Sequence, residues 1–88
     1  MAKLIVNHRV TDFNTWKAGY DSDVERRNAN GVTEICVGRK SDDQSMVYVI
    51  FDAKDPHAAL QMFNDPKLQE AMKGAGVISA PEVIIIED

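Results

Sequence analysis

The chain has little that would hold a secreted protein together or anchor it in a membrane. Cys36 is its single cysteine, so no disulfide can form within the 88 residues, and a position in a predicted strand suggests a small buried side chain. No apolar run approaches the roughly 20 residues of a membrane-spanning helix. Residues 1–3 lead straight into a strand pattern, without the apolar stretch and cleavage site of a signal peptide. We expect a cytoplasmic protein with no membrane partner.

The sequence also lacks the motifs that bind common cofactors. Glycine-rich nucleotide loops, a serine nucleophile elbow and the paired histidines of zinc proteases are all absent. His8, Cys36 and His57 do not have the spacing of metal ligands. The formal net charge of −4 disfavours nucleic acid, because phosphate binding needs a basic surface. We therefore expect no cofactor, no metal and no nucleic-acid partner.

The composition that remains is that of an ordinary globular protein. Hydrophobic residues make up 44% of the chain and charged residues 27%, which excludes wholesale disorder. The length corresponds to a single domain, residues 1–88. A domain of this size buries only about 60–65% of the surface of its unfolded chain, so its core is thin.

A strand and a long helix are predicted at the start of the chain. One face of the strand, residues 3–10, is apolar apart from a histidine: Leu4, Val6, His8 and Val10. The other face carries Ile5, Asn7 and Arg9. Asp12 is a good N-cap for a helix that runs to about Asn28. The apolar stripe of this helix has helical spacing and consists of Phe13, Trp16, Tyr20 and Val24.

Three further strands and a helix in two pieces are predicted after it. The strands cover residues 33–39, 45–53 and 83–87, and residues 41–44 form a hairpin loop. Asp55-Pro56 and Asp65-Pro66 each start a helix, over residues 56–64 and 66–73, since Asp caps and Pro fits the first turn. The order β-α-β-β-α-β predicts an α+β, ferredoxin-like fold, with a four-stranded antiparallel sheet and its helices on one face.

The predicted strands are apolar on both faces. The third strand carries Met46, Tyr48 and Ile50 on one face and Val47, Val49 and Phe51 on the other. A sheet with one solvated face should instead alternate apolar and polar residues. Burial of apolar area is worth roughly 25 cal/mol per Å², so the uncovered face needs a partner. We expect a homodimer in which two such sheets pack together.

Several segments resemble the antibiotic-biosynthesis-monooxygenase-like group of small dimeric α/β-barrel proteins. The resemblance rests on residues 6–13 with Trp16, the Gly31 turn, the hairpin at residues 42–43, residues 51–59, and residues 64–68 with Met72. It implies two sheets packed into a barrel, with a pocket between sheet and helices in each subunit. Members include cofactor-free oxygenases of polyketide quinones, haem-degrading enzymes, muconolactone-type isomerases and proteins with no established activity.

The resemblance does not extend to haem degradation. Haem-degrading members use an asparagine on the first strand, a tryptophan at the end of the third and an iron-ligating histidine on the last helix. The matching positions here hold His8, Ala53 and Met72.

His8 is the first candidate for chemistry. A neutral imidazole could accept a proton from an acidic carbon or a phenol at neutral pH. The alternative is a buried histidine that bonds to a carbonyl or faces the dimer seam. Asn7 and Arg9 point away from His8 on a regular strand, so they join the pocket only if their face lines it.

The remaining candidates are residues that would line the pocket or hold a ligand in it. Tyr48 and Asn7 could donate hydrogen bonds to a substrate oxygen, or Tyr48 could simply pack inside the barrel. Trp16 and Tyr20 either wall an aromatic pocket or pack as core. Other residues predicted at the pocket are Arg9, Met46 and Met72.

The sequence thus predicts a homodimer that binds a compact apolar or aromatic molecule. If it is an enzyme, the resemblance implies a cofactor-free monooxygenase, cyclase or isomerase, with His8, Tyr48 and Asn7 as catalytic residues. The alternatives are a non-catalytic ligand-binding or stress-associated dimer, and a structural dimer with a filled interior.

Overall fold

The computed structural model describes residues 2–87. Strands and helices follow one another in the order β1 Ala2–Arg9, α1 Phe13–Ser22, α2 Val24–Ala29, β2 Val32–Lys40, β3 Asp43–Ala53, α3 Pro56–Asn64, α4 Pro66–Gly74 and β4 Glu82–Glu87. The predicted β-α-β-β-α-β order is confirmed, with each helical segment divided in two.

The four strands form one antiparallel sheet in the order β2-β3-β1-β4. Leu4 on central strand β1 lies opposite Phe51 on β3 and Ile85 on β4. The α+β, ferredoxin-like fold predicted from the sequence is therefore confirmed. Side chains alternate across β1 as predicted, because successive residues of a strand point to opposite faces. Leu4, Val6 and His8 are buried beneath the helices.

The first helical segment is not the continuous helix predicted to Asn28. It breaks at Asp23, whose backbone (φ −99°, ψ 15°) leaves the helical region and whose N–H donates to the Tyr20 carbonyl at 3.1 Å. The break changes which residues of α2 point inward. Val24, predicted on the buried stripe, is 46% exposed, whereas Arg27 is buried with 8% exposure.

The second helical segment begins as the repeated Asp-Pro signal predicts. The Asp55 carboxylate accepts from the His57 N–H and that of Asp65 accepts from the Lys67 N–H, each at 2.9 Å. Each proline occupies the first helical turn, where its missing N–H leaves no bond unmade. The α3 bounds match the prediction, and α4 runs one residue further, to Gly74.

Strands β2, β3 and β4 are longer than predicted, and the hairpin loop is correspondingly shorter, whereas β1 keeps the predicted length but starts one residue earlier, at Ala2. Residues 41–42 alone connect β2 to β3, because Asp43 already pairs with Lys40 across the ladder. The Asp43 carboxylate accepts from Ser45 Oγ at 2.9 Å, which stabilises this strand end. β2 starts at Val32 and β4 at Glu82, each one residue earlier than predicted.

One face of the sheet carries no helix, and we call it the open face. Ile5 lies on it between Ile50 and Ile84 in the neighbouring strands. Cys36 pairs with Ile50 and is exposed in the subunit, so the prediction that it is buried was wrong for the isolated chain. Ile84 and Ile86 are also exposed on this face. No helix within residues 2–87 is both long and apolar enough to cross a membrane.

Candidate functional site

A cavity of about 320 Å³ lies between the helices and the covered face of the sheet. Its floor is formed by alternate residues of the two central strands: Val6 and His8 from β1, and Val49 and Phe51 from β3. These four side chains point the same way because they occupy one side of the pleat.

Aromatic side chains from α1 make one wall of the cavity. Trp16 stacks on Tyr20 with 5.0 Å between ring centroids and 26° between ring planes. The Tyr20 hydroxyl donates to Glu34 Oε1 on β2 at 2.8 Å. Burial, together with this bond to a carboxylate, raises the pKa of Tyr20, so its phenol stays protonated at neutral pH. Trp16 and Tyr20 line the cavity and also pack with the hydrophobic core, so both readings of these residues apply.

The opposite wall comes from α3 and α4. Met62 and Phe63 of α3 and Leu68 and Met72 of α4 line it, and Phe63 packs beside Phe51 with ring centroids 6.3 Å apart. The lining residues Thr15, Ser22, Ala71 and Gly74 are exposed and mark where the cavity meets solvent. The two walls are thus largely apolar and each contains aromatic rings, which suits a ligand with a ring system, and the rim of the cavity is exposed to solvent.

His8 is the polar group of the floor. It is 3% exposed, and its ring meets the Trp16 ring edge-on at 5.4 Å and 68°. Its Nδ1 is buried and has no hydrogen-bond partner. Burial lowers the pKa of His8 to about 4, and an interaction with its own backbone opposes this only in part. At neutral pH the imidazole is therefore uncharged and has an unused acceptor or donor nitrogen.

Arg27 is a further residue of the cavity, and it lies at the end of α2. Its guanidinium covers the Tyr20 ring, with Cζ 3.8 Å from the ring centroid, and Nη1 donates to the Tyr20 carbonyl at 2.8 Å. Sequence reasoning missed it, because Arg26-Arg27 is typical of a solvated helix end. The available signal was its spacing of seven residues from Tyr20, which continues the buried stripe.

Comparisons with known proteins give structural likeness without sequence likeness. No family model and no curated protein matches the chain. The fold does match solved structures over nearly the whole chain. A candidate antibiotic biosynthesis monooxygenase from Bordetella bronchiseptica superposes with a TM-score of 0.74 at 15% identity, covering 99% of this chain and 95% of that one.

SnoaB, a cofactor-independent oxygenase from Streptomyces nogalater, has a TM-score of 0.71 at 12% identity, with 99% and 91% of the two chains covered. A conserved protein from Methanosarcina mazei Go1 matches with the same TM-score, identity and coverage. The chain has the fold of the antibiotic biosynthesis monooxygenase-like proteins. The resemblance noted in its sequence is confirmed, and at these identities the likeness concerns the fold.

Within the monooxygenase-like fold, four predicted site residues lie away from the cavity. Asn7 and Arg9 of β1 and Met46 and Tyr48 of β3 occupy the open face, where Asn7 pairs with Tyr48 and Arg9 with Met46. Successive residues of a strand point to opposite faces of the sheet. The residues next to His8 and Val47 in the sequence therefore point to the open face. They do not line the cavity with His8, so the prediction that they share its pocket was wrong.

Two of these four side chains, Asn7 and Arg9, are engaged in polar contacts with other residues. Asn7 Nδ2 donates to Glu82 Oε1 at 2.8 Å, and Arg9 Nη1 donates to Asp43 Oδ2 at 3.0 Å. Arg9 also donates to the Ser45 hydroxyl. The bonds from Ser45 and Arg9 lower the pKa of Asp43 and keep it ionised. The structure therefore brings together His8, Trp16, Tyr20 and Met72 from the predicted set, and adds Arg27.

Proposed function

We propose that the chain binds a compact aromatic molecule in this cavity and oxidises it with molecular oxygen, without a cofactor. The observation that carries the proposal is His8: a buried, uncharged imidazole on the floor of an aromatic-walled cavity. Its ring nitrogen Nε2 makes no hydrogen bond within residues 2–87 and is not fully buried, so it is available to a ligand. The likeness to a cofactor-independent oxygenase supports this choice of chemistry.

The proposed substrate is a phenol fused to or part of a flat ring system. His8 accepts the phenolic proton, and the resulting phenolate supplies the electron pair for a new bond from a ring carbon to O₂. The hydroperoxide formed then loses water and leaves a quinone. One oxygen atom of O₂ remains on the ring, and the other leaves as water with the two hydrogens that the phenol gave up. A phenolate beside His8 would itself raise the pKa of the imidazole and assist the transfer.

A second copy of the chain is the partner that we propose for the open face. Ile5, Ile50 and Ile84 form an apolar row across three strands there, and Ile84 and Ile86 are exposed. Packing two sheets face to face is an established way of covering such rows. We also propose a cytoplasmic location, in keeping with a single cysteine, Cys36, that forms no disulfide.

The test compares wild-type protein with His8→Gln against a panel of naphthols and hydroxyanthracenes. Oxygen uptake and quinone absorbance measure turnover, and Trp16 fluorescence measures binding, because Trp16 is the chain's one tryptophan and lines the cavity. We expect turnover to fall by about 10²-fold or more, with binding retained. His57→Gln is the matched control, because His57 is exposed in the first turn of α3.

Unchanged turnover in His8→Gln would contradict the catalytic role of His8. Turnover without oxygen uptake would indicate a cyclase or isomerase in which His8 moves the proton.

A non-catalytic binding protein is the second candidate, and the pKa of His8 favours it. A pKa of about 4 makes the imidazole a weak base for a general base at neutral pH. On this alternative His8 only hydrogen-bonds the ligand, so His8→Gln weakens binding and no compound of the panel turns over. The cavity itself argues against the structural dimer with a filled interior.

A further inference from the structure

Arg27 has a charge that no carboxylate of the described residues neutralises at contact distance. Within residues 2–87 no carboxylate lies within 4.0 Å of its guanidinium, whereas the adjacent Arg26 pairs with Asp23 at 3.2 Å. Yet Arg27 is the more buried of the two, at 8% exposure. Buried charges in proteins are normally paired, because an unpaired charge that is removed from water is unfavourable. The Tyr20 ring offsets part of this cost through a cation–π contact.

The guanidinium has free donors as well as free charge. Nη1 donates to the Tyr20 carbonyl, and neither Nε nor Nη2 makes a hydrogen bond within the described chain. These nitrogens are not among the fully buried atoms without a partner, so they remain accessible. The planar fork of Arg matches the two oxygens of a carboxylate, which it binds through paired hydrogen bonds.

The acidic side chains nearest the cavity are already engaged. Asp23 lines the cavity but accepts from Arg26 Nε. Glu34 accepts from the Tyr20 hydroxyl. Neither contacts Arg27, which leaves its free edge for a group from outside the chain.

We propose that the cavity is selective for aromatic carboxylates, with Arg27 as the residue that determines this specificity. The ring of the ligand lies against Trp16 and Phe63, and its carboxylate binds the free edge of the Arg27 guanidinium. This inference rests on the proposed function, since it names the charge of the molecule that the same cavity takes. The inference adds to the proposed function a requirement for a carboxylate on the ligand, which an aromatic-walled cavity alone does not impose.

The test uses two probes of one shape, 2-naphthoate and 2-naphthamide, titrated by calorimetry at pH 7.5. The first carries a carboxylate and the second is its uncharged counterpart. We expect wild-type protein to bind naphthoate at least tenfold more tightly than the amide. Arg27→Gln should bring the two affinities within about twofold by weakening naphthoate alone. Arg26→Gln removes a neighbouring charge of the same sign and should keep the wild-type preference.

Each outcome decides the matter. Equal affinities in wild-type protein, a preference that survives in Arg27→Gln, or an equal loss in Arg26→Gln would overturn the proposal. Binding of the amide by Arg27→Gln shows that the cavity is intact. If that variant does not fold, Arg27→Lys replaces it, and there the preference should fall because a lysine cannot pair with both oxygens. An unchanged preference in Arg27→Lys would then overturn the assignment.

The same titrations separate this inference from the proposed function. Tight but equal binding of both probes overturns the carboxylate preference and leaves an aromatic site. Binding of neither at millimolar concentration overturns both.

Discussion

His8 illustrates how one residue can combine an energetic disadvantage with a chemical use. Its ring is packed against Trp16, and its Nδ1 has no partner. An unsatisfied buried polar atom costs about 1–3 kcal/mol, which apolar packing in a thin core must offset. A leucine of similar volume would avoid that penalty, so the imidazole destabilises the subunit at the place where the cavity gives it access to a ligand. This is the pattern expected of a functional residue rather than a packing residue.

The buried imidazole should make stability depend on pH. Its pKa is about 4 in the folded chain and 6.5 when exposed, so between these values the unfolded chain binds a proton that the folded chain does not. Stability therefore falls as pH drops from 6.5 to 4. The expected loss between pH 7 and pH 4.5 is about 2 kcal/mol, measured by urea unfolding.

His8→Gln should remove most of this loss of stability between pH 7 and pH 4.5, whereas His57→Gln should retain it. The carboxylates of Asp12 and Asp43 have lowered pKa values, and their own contribution is lost only at still lower pH. An equal loss in wild type and His8→Gln would contradict the assignment to His8.

Among the secondary-structure elements, the contact between α1 and α4 shapes the cavity. Gly19 of α1 faces Ala75, the residue that caps the C-terminal end of α4, and both line the cavity. A Cβ built on Gly19 would lie 2.9 Å from Ala75 Cβ, closer than two such atoms can stand. The helices pack this closely because the glycine has no side chain. A helix in this position would otherwise favour alanine by up to about 1 kcal/mol.

Gly19→Ala tests this contact. Overpacking typically costs about 1–3 kcal/mol, which exceeds the gain in helix propensity, so we expect net destabilisation and weaker ligand binding. Chemical denaturation and Trp16 fluorescence measure the two effects. Gly38→Ala is the control, since a Cβ there meets nothing within 4 Å, and it should be close to neutral. A Gly19→Ala protein more stable than wild type would show that α4 can move away freely.

For the molecule as a whole, the open face should decide the oligomeric state. Ile84 is 41% exposed beside Ile5, in the apolar row that a second sheet would cover. Burying one such side chain stabilises the assembly by about 1.5–3 kcal/mol. In a dimer with a two-fold axis the same side chain of both subunits is buried, so this contribution occurs twice. A carboxylate placed there would be buried without a partner in a dimer.

Ile84→Asp should therefore convert a wild-type dimer, at about twice the 9.8 kDa chain mass, into a monomer. Sedimentation equilibrium at micromolar concentration measures this. Leu60→Asp is the matched control, because Leu60 is 39% exposed on helix α3, on the side of the sheet opposite the open face. A wild-type monomer, or equal dissociation of the two variants, would contradict the sheet-to-sheet dimer.

Local patterns in the sequence were enough to predict the element order, the caps and the faces of the strands. Strand alternation placed His8 with Leu4 and Val6, and two Asp-Pro pairs marked the starts of α3 and α4. These features depend on residues close together in the chain, where periodicity and local hydrogen bonds act.

Which residues share the cavity depends instead on the packing of distant segments. The helices cover the face of His8, so Tyr48 and Asn7 lie on the other side of the sheet. The break at Asp23 turns Val24 outward and Arg27 inward, and that rotation depends on α2 packing against β2 and Tyr20. Side chains meet across a fold through such tertiary contacts, which no local pattern in the sequence records.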